Sequence, residues 1–160
     1  MIPRAAAWAH AGAVIAVVMA IDQATKQVAL ASLDPGDPVN VFFGVDLTLV
    51  RNRGIAFGAL SGGGWPVTLL TLVATALLVV YFFRNAGRPG LWLPVGAILG
   101  GALGNLADRA REGTVIDFVD PVLWPSFNLA DSAIVLGVLG LLYVIDGPRP
   151  GEAKGEGGSP

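Results

Sequence analysis

Asp117 and Asp131 are the residues whose types and surroundings best suit hydrolytic chemistry. They lie in GTVIDFVDPVLWPSFNLADSAI (residues 113–134), beside strongly apolar sequence where a carboxylate is costly to ionise. Two carboxylates held close cannot both ionise easily. They share a proton, and the pair serves as base and acid in turn. Such a pair activates water against a peptide carbonyl without a metal, thiol or serine. Asp108 suits this less well: Arg109 follows it and Arg111 is near, and an adjacent guanidinium favours a permanently ionised, structural carboxylate. Asp117 stands between Ile116 and Phe118 with no adjacent cation, and Asp131 follows Ala130 at a helix entrance. Asp131 also reads as an N-cap or first-turn acid, and Asp120, before Pro121, as a turn residue. On spacing alone, both readings of Asp131 stand.

These acids must be positioned by a chain of unusual composition. Of its 160 residues 54% are apolar and only 14% charged, too few charges to cover a soluble domain of this size. Lipid is therefore part of the solvent. A formal charge of −2, with no basic cluster, argues against nucleic acid. The absence of cysteine excludes disulfides, thiol catalysis and Cys-ligated metals. The lone histidine, His10, sits in an apolar run and reads as a packing or interfacial residue. Neither a cofactor nor a metal is expected.

Four stretches approach the roughly 20 residues that cross a bilayer. They run over about 5–30, 65–83, 90–107 and 128–145, which predicts an all-α membrane protein of four transmembrane helices. Gly96, Gly100, Gly101 and Gly104 recur at helical spacings that let helix backbones approach closely. The first span has an alternative reading as a signal peptide cleaved after ALAS (29–32), but Asp22, Gln23, Lys26 and Gln27 intervene, and retention is favoured. Between spans one and two, VNVFFGVDLTLV alternates apolar and polar residues, predicting a small β-ribbon within 39–52, as one bent strand or two short ones. RNRGIAFGALSGGGW then returns the chain through a flexible glycine stretch. Residues 1–146 form the expected membrane domain, and the Gly-, Pro- and charge-rich 147–160 reads as a disordered tail.

Four crossings put both termini and the link RNAGRP (84–89) on one side, which its two arginines mark as cytoplasmic. Asp22, Asp108, Asp117 and Asp131 then gather at the other face, with the ribbon beside them.

Five fragments in order carry a resemblance: DQATKQ (22–27), RNRGIAFG (51–58), GGALGNLADR (100–109), VIDFVD (115–120) and FNLADSAI (127–134). Together they resemble the bacterial lipoprotein signal peptidase family. That resemblance implies an aspartyl endopeptidase of the bacterial plasma membrane, which cuts diacylglyceryl-modified prolipoproteins just before the lipidated cysteine. The family's catalytic pair falls on Asp117 and Asp131. Its other polar motif positions fall on Asp22, Lys26, Asn52, Gly54, Asn105, Asp108, Arg109 and Asn128. The departures are Arg53 in the second motif and Ile116 in VIDF, where two valines are commoner. The asparagines suit holding substrate backbone in a poorly solvated cleft, with local capping as the plainer role of Asn128. Arg109 is expected to anchor Asp108 or to meet a substrate carbonyl or lipid phosphate. Asp22 and Lys26, at i and i+4, read equally as a simple ion pair and as support for the site. The expected partners are lipidated prolipoproteins and membrane lipids, acting on a monomer. The rival reading is a proton-coupled four-helix transporter, which would place its acids nearer mid-membrane.

Overall fold

The structure, a computed structural model, describes residues 3–54 and 64–147. Four long helices carry most of the chain: α1 (Arg4–Ser32), α2 (Trp65–Asn85), α3 (Trp92–Glu112) and α4 (Leu129–Asp146). Strands β1 (Val39–Phe42) and β2 (Val45–Asn52) follow α1, and β3 (Val115–Pro121) joins α3 to α4. They form one antiparallel sheet in the order β1-β2-β3. The return segment 55–63 and the tail from 148 onward lie outside the described residues, so the expectations for them concern sequence only.

Helices α1, α2 and α4 are each long and apolar enough to cross a membrane. Their outer faces carry exposed Val17, Leu70, Leu77, Leu136 and Leu139, as a lipid-facing surface requires. The third stretch differs. α3 falls outside that class because it is the central helix: Gly96, Leu99, Gly100, Gly101, Gly104, Asn105 and Asp108 are all buried. A Cβ on Gly96 would lie 2.8 Å from Val14, one on Gly100 2.8 Å from Val18, and one on Gly104 2.5 Å from the Asp22 carboxylate. The spacing of four on both helices shows α1 and α3 running parallel, backbone against backbone. On a neighbouring face, Gly101 lies against the Ala130 carbonyl of α4.

The far end of the bundle is apolar. Ala7, Ala11, Phe82, Ala86, Leu91, Val95 and Leu99 form its core, with Trp8 edge-on to Phe82 at 4.6 Å. His10 is exposed, its ring 5.0 Å from that of Trp92. Two arginines close helix ends here. Arg4 donates to the Phe83 and Arg84 carbonyls of α2, and Arg88 to Val144 and Ile145 of α4.

The expected ribbon is present in its two-strand form, and the sheet departs from it in the buried residue of β2 and in a third strand. The alternating segment turns at Phe43–Gly44, where Gly44 has φ 71°, so it makes a hairpin of two strands. Thr48, rather than its apolar neighbours, is the buried residue of β2. The third strand, β3, was not expected. It runs through Asp120, which pairs with Asp46 and accepts from the Ser126 hydroxyl at 2.7 Å, so Asp120 is a strand residue and not a turn residue.

Candidate active site

Five elements bring acids and amides to one place: the C-terminal parts of α1 and α3, the first turn of α4, and the paired strands β2 and β3. Each is held there locally. Asn128 is the N-cap of α4, accepting from the Asp131 N–H at 3.0 Å, while the Asp131 carboxylate accepts from the Asn128 N–H at 3.2 Å. Gly113, at φ 69°, ends α3 and turns the chain into β3. The register Asn52↔Val115 and Val50↔Asp117 places Asn52 over Asp117.

Asp117 is 1% exposed and accepts two amide N–H groups, from Asn52 at 2.8 Å and Asn128 at 2.7 Å. Asp131 accepts from Asn105 at 2.8 Å as well as from the Asn128 backbone. Every carboxyl oxygen of the pair thus faces one N–H, and Asn128 touches both acids. None of these amides can be turned round, because each amide oxygen already faces a donor. The donors are the Gly54 N–H for Asn52 (2.7 Å), the Asp131 N–H for Asn128 (3.0 Å) and the Lys26 ammonium for Asn105 (2.9 Å). Gly54 reaches Asn52 from a left-handed conformation, φ 80°, with Val67 packed where a Cβ would stand.

Burial pushes the Asp117 carboxyl up to about 6; the Asn52 amide opposes this, the Asp131 charge adds to it, and Asn128 and Lys26 oppose it. A group of that kind exchanges its proton near neutrality, as an acid–base catalyst must.

Beneath the pair lies a buried ion group. Lys26 bonds Asp22 at 2.9 Å and Asp108 at 2.7 Å, with all three side chains nearly excluded from solvent. Asp22 also accepts the Ala130 N–H at 3.0 Å, tying α1 to the start of α4. Asp108 accepts the Ile116 N–H at 3.3 Å, tying α3 to β3. The Asp22–Lys26 contact is therefore both an ion pair and a support of the site.

The partner of Asp108 is Lys26, not Arg109 as its sequence neighbour suggested. Adjacent residues on a helix point about 100° apart, whereas Lys26 reaches across from α1. Arg109 instead faces the field of Asp131, Asp117 and Asp108, its buried Nε without a hydrogen-bond partner among the described residues. It lines a groove of about 630 Å³ with Trp65, Leu69, Leu72 and Leu106. A second groove, of about 410 Å³, has Asp131 in its wall beside Trp124, Phe127, Val135 and Leu136. Arg53 is exposed and apart from the network.

One network residue escaped the sequence reading. Gln23 donates to Asp108 at 2.9 Å and Asp22 at 3.2 Å, and accepts from Arg111 at 2.5 Å. Its place beside Asp22 in DQATKQ was the available signal.

Comparison with known proteins decides the family. The family model described as Signal peptidase (SPase) II matches residues 14–146. The chain belongs to the signal peptidase II family. It is thereby an aspartic peptidase, a hydrolase, and the family offers no support for a proton-coupled transporter. Among its relatives, the lipoprotein signal peptidase of Halothermothrix orenii is 38% identical over 141 residues, spanning 87% of this chain and 97% of that protein. The lipoprotein signal peptidase of Syntrophomonas wolfei is 44% identical over 136 residues, spanning 83% and 91%. A bacterial membrane enzyme solved by the in meso method at 1.9 Å superposes with a TM-score of 0.76 at 29% identity, covering 87% of this chain and 94% of that one. The chain is thus a bacterial membrane protein by family and by its apolar helices.

Proposed function

We propose that this peptidase removes signal peptides from diacylglyceryl-modified prolipoproteins, cutting just before the lipidated cysteine, with Asp117 and Asp131 as its catalytic pair. One observation carries the reading: two carboxyls from distant parts of the chain are drawn into one amide network, with burial pushing Asp117 to about 6. In the reaction one carboxylate takes a proton from water as the water attacks the scissile carbonyl. The other, protonated, donates to that carbonyl oxygen. As the C–N bond breaks, the first carboxyl passes the water proton to the leaving amine and the second recovers a proton from the gem-diol hydroxyl. Arg109, whose Nε has no partner among the described residues, meets a substrate carbonyl or the lipid's oxygen atoms. Asn52, Asn105 and Asn128 orient the pair.

All four helices span the bilayer in this reading. α3 is shielded by α1, α2 and α4, so it crosses without being strongly apolar itself. The termini and the 84–89 link lie in the cytoplasm, and the site lies near the opposite face. Residues 1–146 are the peptidase domain, with α1 retained in the mature protein. Cleavage after ALAS would strip Asp22, Gln23 and Lys26 from the network. The hairpin tip and the turn after β3 lie side by side, joined by Val122 N–H to the Gly44 carbonyl at 3.0 Å. There Phe42, Phe43, Val122, Leu123 and Trp124 are all exposed, a rim suited to lipid. The substrate's diacylglyceryl group, worth about 0.8 kcal/mol per buried CH₂, holds the scissile bond at the depth of the pair and lowers the entropy of reaching it. The protein acts as a monomer.

The test is cleavage of a synthetic prolipoprotein peptide by the purified protein in lipid, with the product mass fixing the bond cut. The lipidated peptide is cut before its cysteine, and the same peptide without lipid at least about 100-fold more slowly. Cleavage elsewhere, or indifference to the lipid, refutes the substrate assignment.

A further inference from the structure

The two aspartates are bound by similar numbers of N–H groups, but what stands behind those groups differs. The amides of Asn52 and Asn128, which donate to Asp117, have their oxygens on neutral backbone N–H groups. The amide of Asn105, which donates to Asp131, has its oxygen on the Lys26 ammonium. An amide polarised by a cation at its oxygen is the stronger donor at its nitrogen. Lys26 itself has no freedom to act otherwise. It is 1% exposed, and its three N–H bonds are taken by Asp22, Asp108 and Asn105 at 2.9, 2.7 and 2.9 Å. Asp131 also sits in the first turn of α4, where the helix dipole favours negative charge, whereas Asp117 is on a strand.

We propose that Lys26 is a positioning residue of the reaction: acting through Asn105, it holds Asp131 as the ionised member that deprotonates water and leaves the shared proton on Asp117. The inference rests on the assignment of these two residues as the catalytic pair. The direct field of Lys26 also favours an ionised Asp117, but there burial and the Asp131 charge outweigh it. Asp22 and Lys26 face the pair from α1, Asp108 and Arg109 from α3, and β2 contributes there only the uncharged Asn52. Arg51 of β2 is engaged elsewhere, with exposed Glu112 at 2.8 Å. Burial, which pushes Asp117 up to about 6, favours the proton there.

The proton is located by carboxylic-acid infrared absorption of the full-length protein in lipid at about pH 5.5, between the ordinary carboxylate range and that of Asp117. A protonated-carboxyl band is expected in Asp131→Asn, which keeps Asp117, and is absent in Asp117→Asn. The opposite pattern overturns the proposal. The part played by Lys26 is read from pH profiles of lipidated-peptide cleavage. In Lys26→Met the acidic limb of kcat moves to higher pH by about one unit or more, with KM changed less than about threefold. Lys26→Arg restores the limb. Should Lys26→Met fail to fold, Asn105→Ala breaks the same link while leaving Lys26 between Asp22 and Asp108, and it gives the same shift. An acidic limb that stays in place in the folded variant overturns the role of Lys26. The two levels of failure differ in the assay: normal turnover in Asp117→Asn or Asp131→Asn removes the catalytic pair itself. Inactive variants with the band reversed keep the pair and move the proton.

Discussion

A carboxylate away from water is tolerated only where its lone pairs are met, and here asparagine meets them. Asn52, Asn105 and Asn128 supply N–H groups without adding charge, and each is locked in orientation through its oxygen. Because burial raises the Asp117 carboxyl to about 6, its protonated form is lost as pH rises through that value. Where Asp117 is the acid, kcat/KM for the lipidated peptide therefore falls on the alkaline side of about pH 6; a rate flat from pH 5 to 8 contradicts this. Asn52 stabilises the ionised form of Asp117, so Asn52→Ala moves that alkaline limb upward and lowers kcat by up to about tenfold, for the loss of one hydrogen bond to the protonated carboxyl. A limb that moves downward would show that Asn52 acts otherwise. The acids of this network were legible in sequence as carboxylates beside apolar runs, and the asparagines only through the resemblance carried by their motifs. Their partners were less so: Arg109 was the obvious neighbour of Asp108 in the chain, yet the cation that reaches it is Lys26, 82 positions away and legible only once α1 lies against α3.

The helices have one arrangement because small residues permit it. Gly96, Gly100 and Gly104 let α3 lie on Val14, Val18 and Asp22 of α1, and the last of these contacts enters the ion group. Gly104→Ala pushes directly on the Asp22 carboxylate. It is expected to destabilise the protein by about 1–3 kcal/mol, as overpacking does, and to lower activity through the Asp22–Ala130 contact. Gly12, with open space around it in α1, is the control. Gly12→Ala stabilises by about 0.5–1 kcal/mol, and thermal unfolding in detergent distinguishes the two. Close approach along this glycine series was readable from spacing. β3 was not, because VIDFVDP has no clean alternation and becomes a strand through pairing with β2, a contact between distant segments. The end of α3 at Glu112 was likewise hidden within the polar run ADRAREG, where Gly113 stops the helix.

For the molecule as a whole, hydropathy locates α1, α2 and α4 as candidate spans, and α3 differs because its burial comes from neighbours and not from lipid. The four-crossing arrangement is open to a clean test, since the chain has no cysteine. Single cysteines at Gly87 and Leu123 are expected to label with impermeant maleimide from opposite sides of the membrane, Leu123 from outside; labelling of both from one side would contradict the proposed topology. The measurement closest to the central claim is single-turnover cleavage of a diacylglyceryl-modified prolipoprotein peptide by Asp117→Asn and Asp131→Asn proteins in lipid, with thermal unfolding recorded in parallel. Both variants are expected to unfold within a few degrees of the unmodified protein and to cleave at least about 1,000-fold more slowly. Cleavage within about tenfold of the unmodified rate by either folded variant would contradict the account.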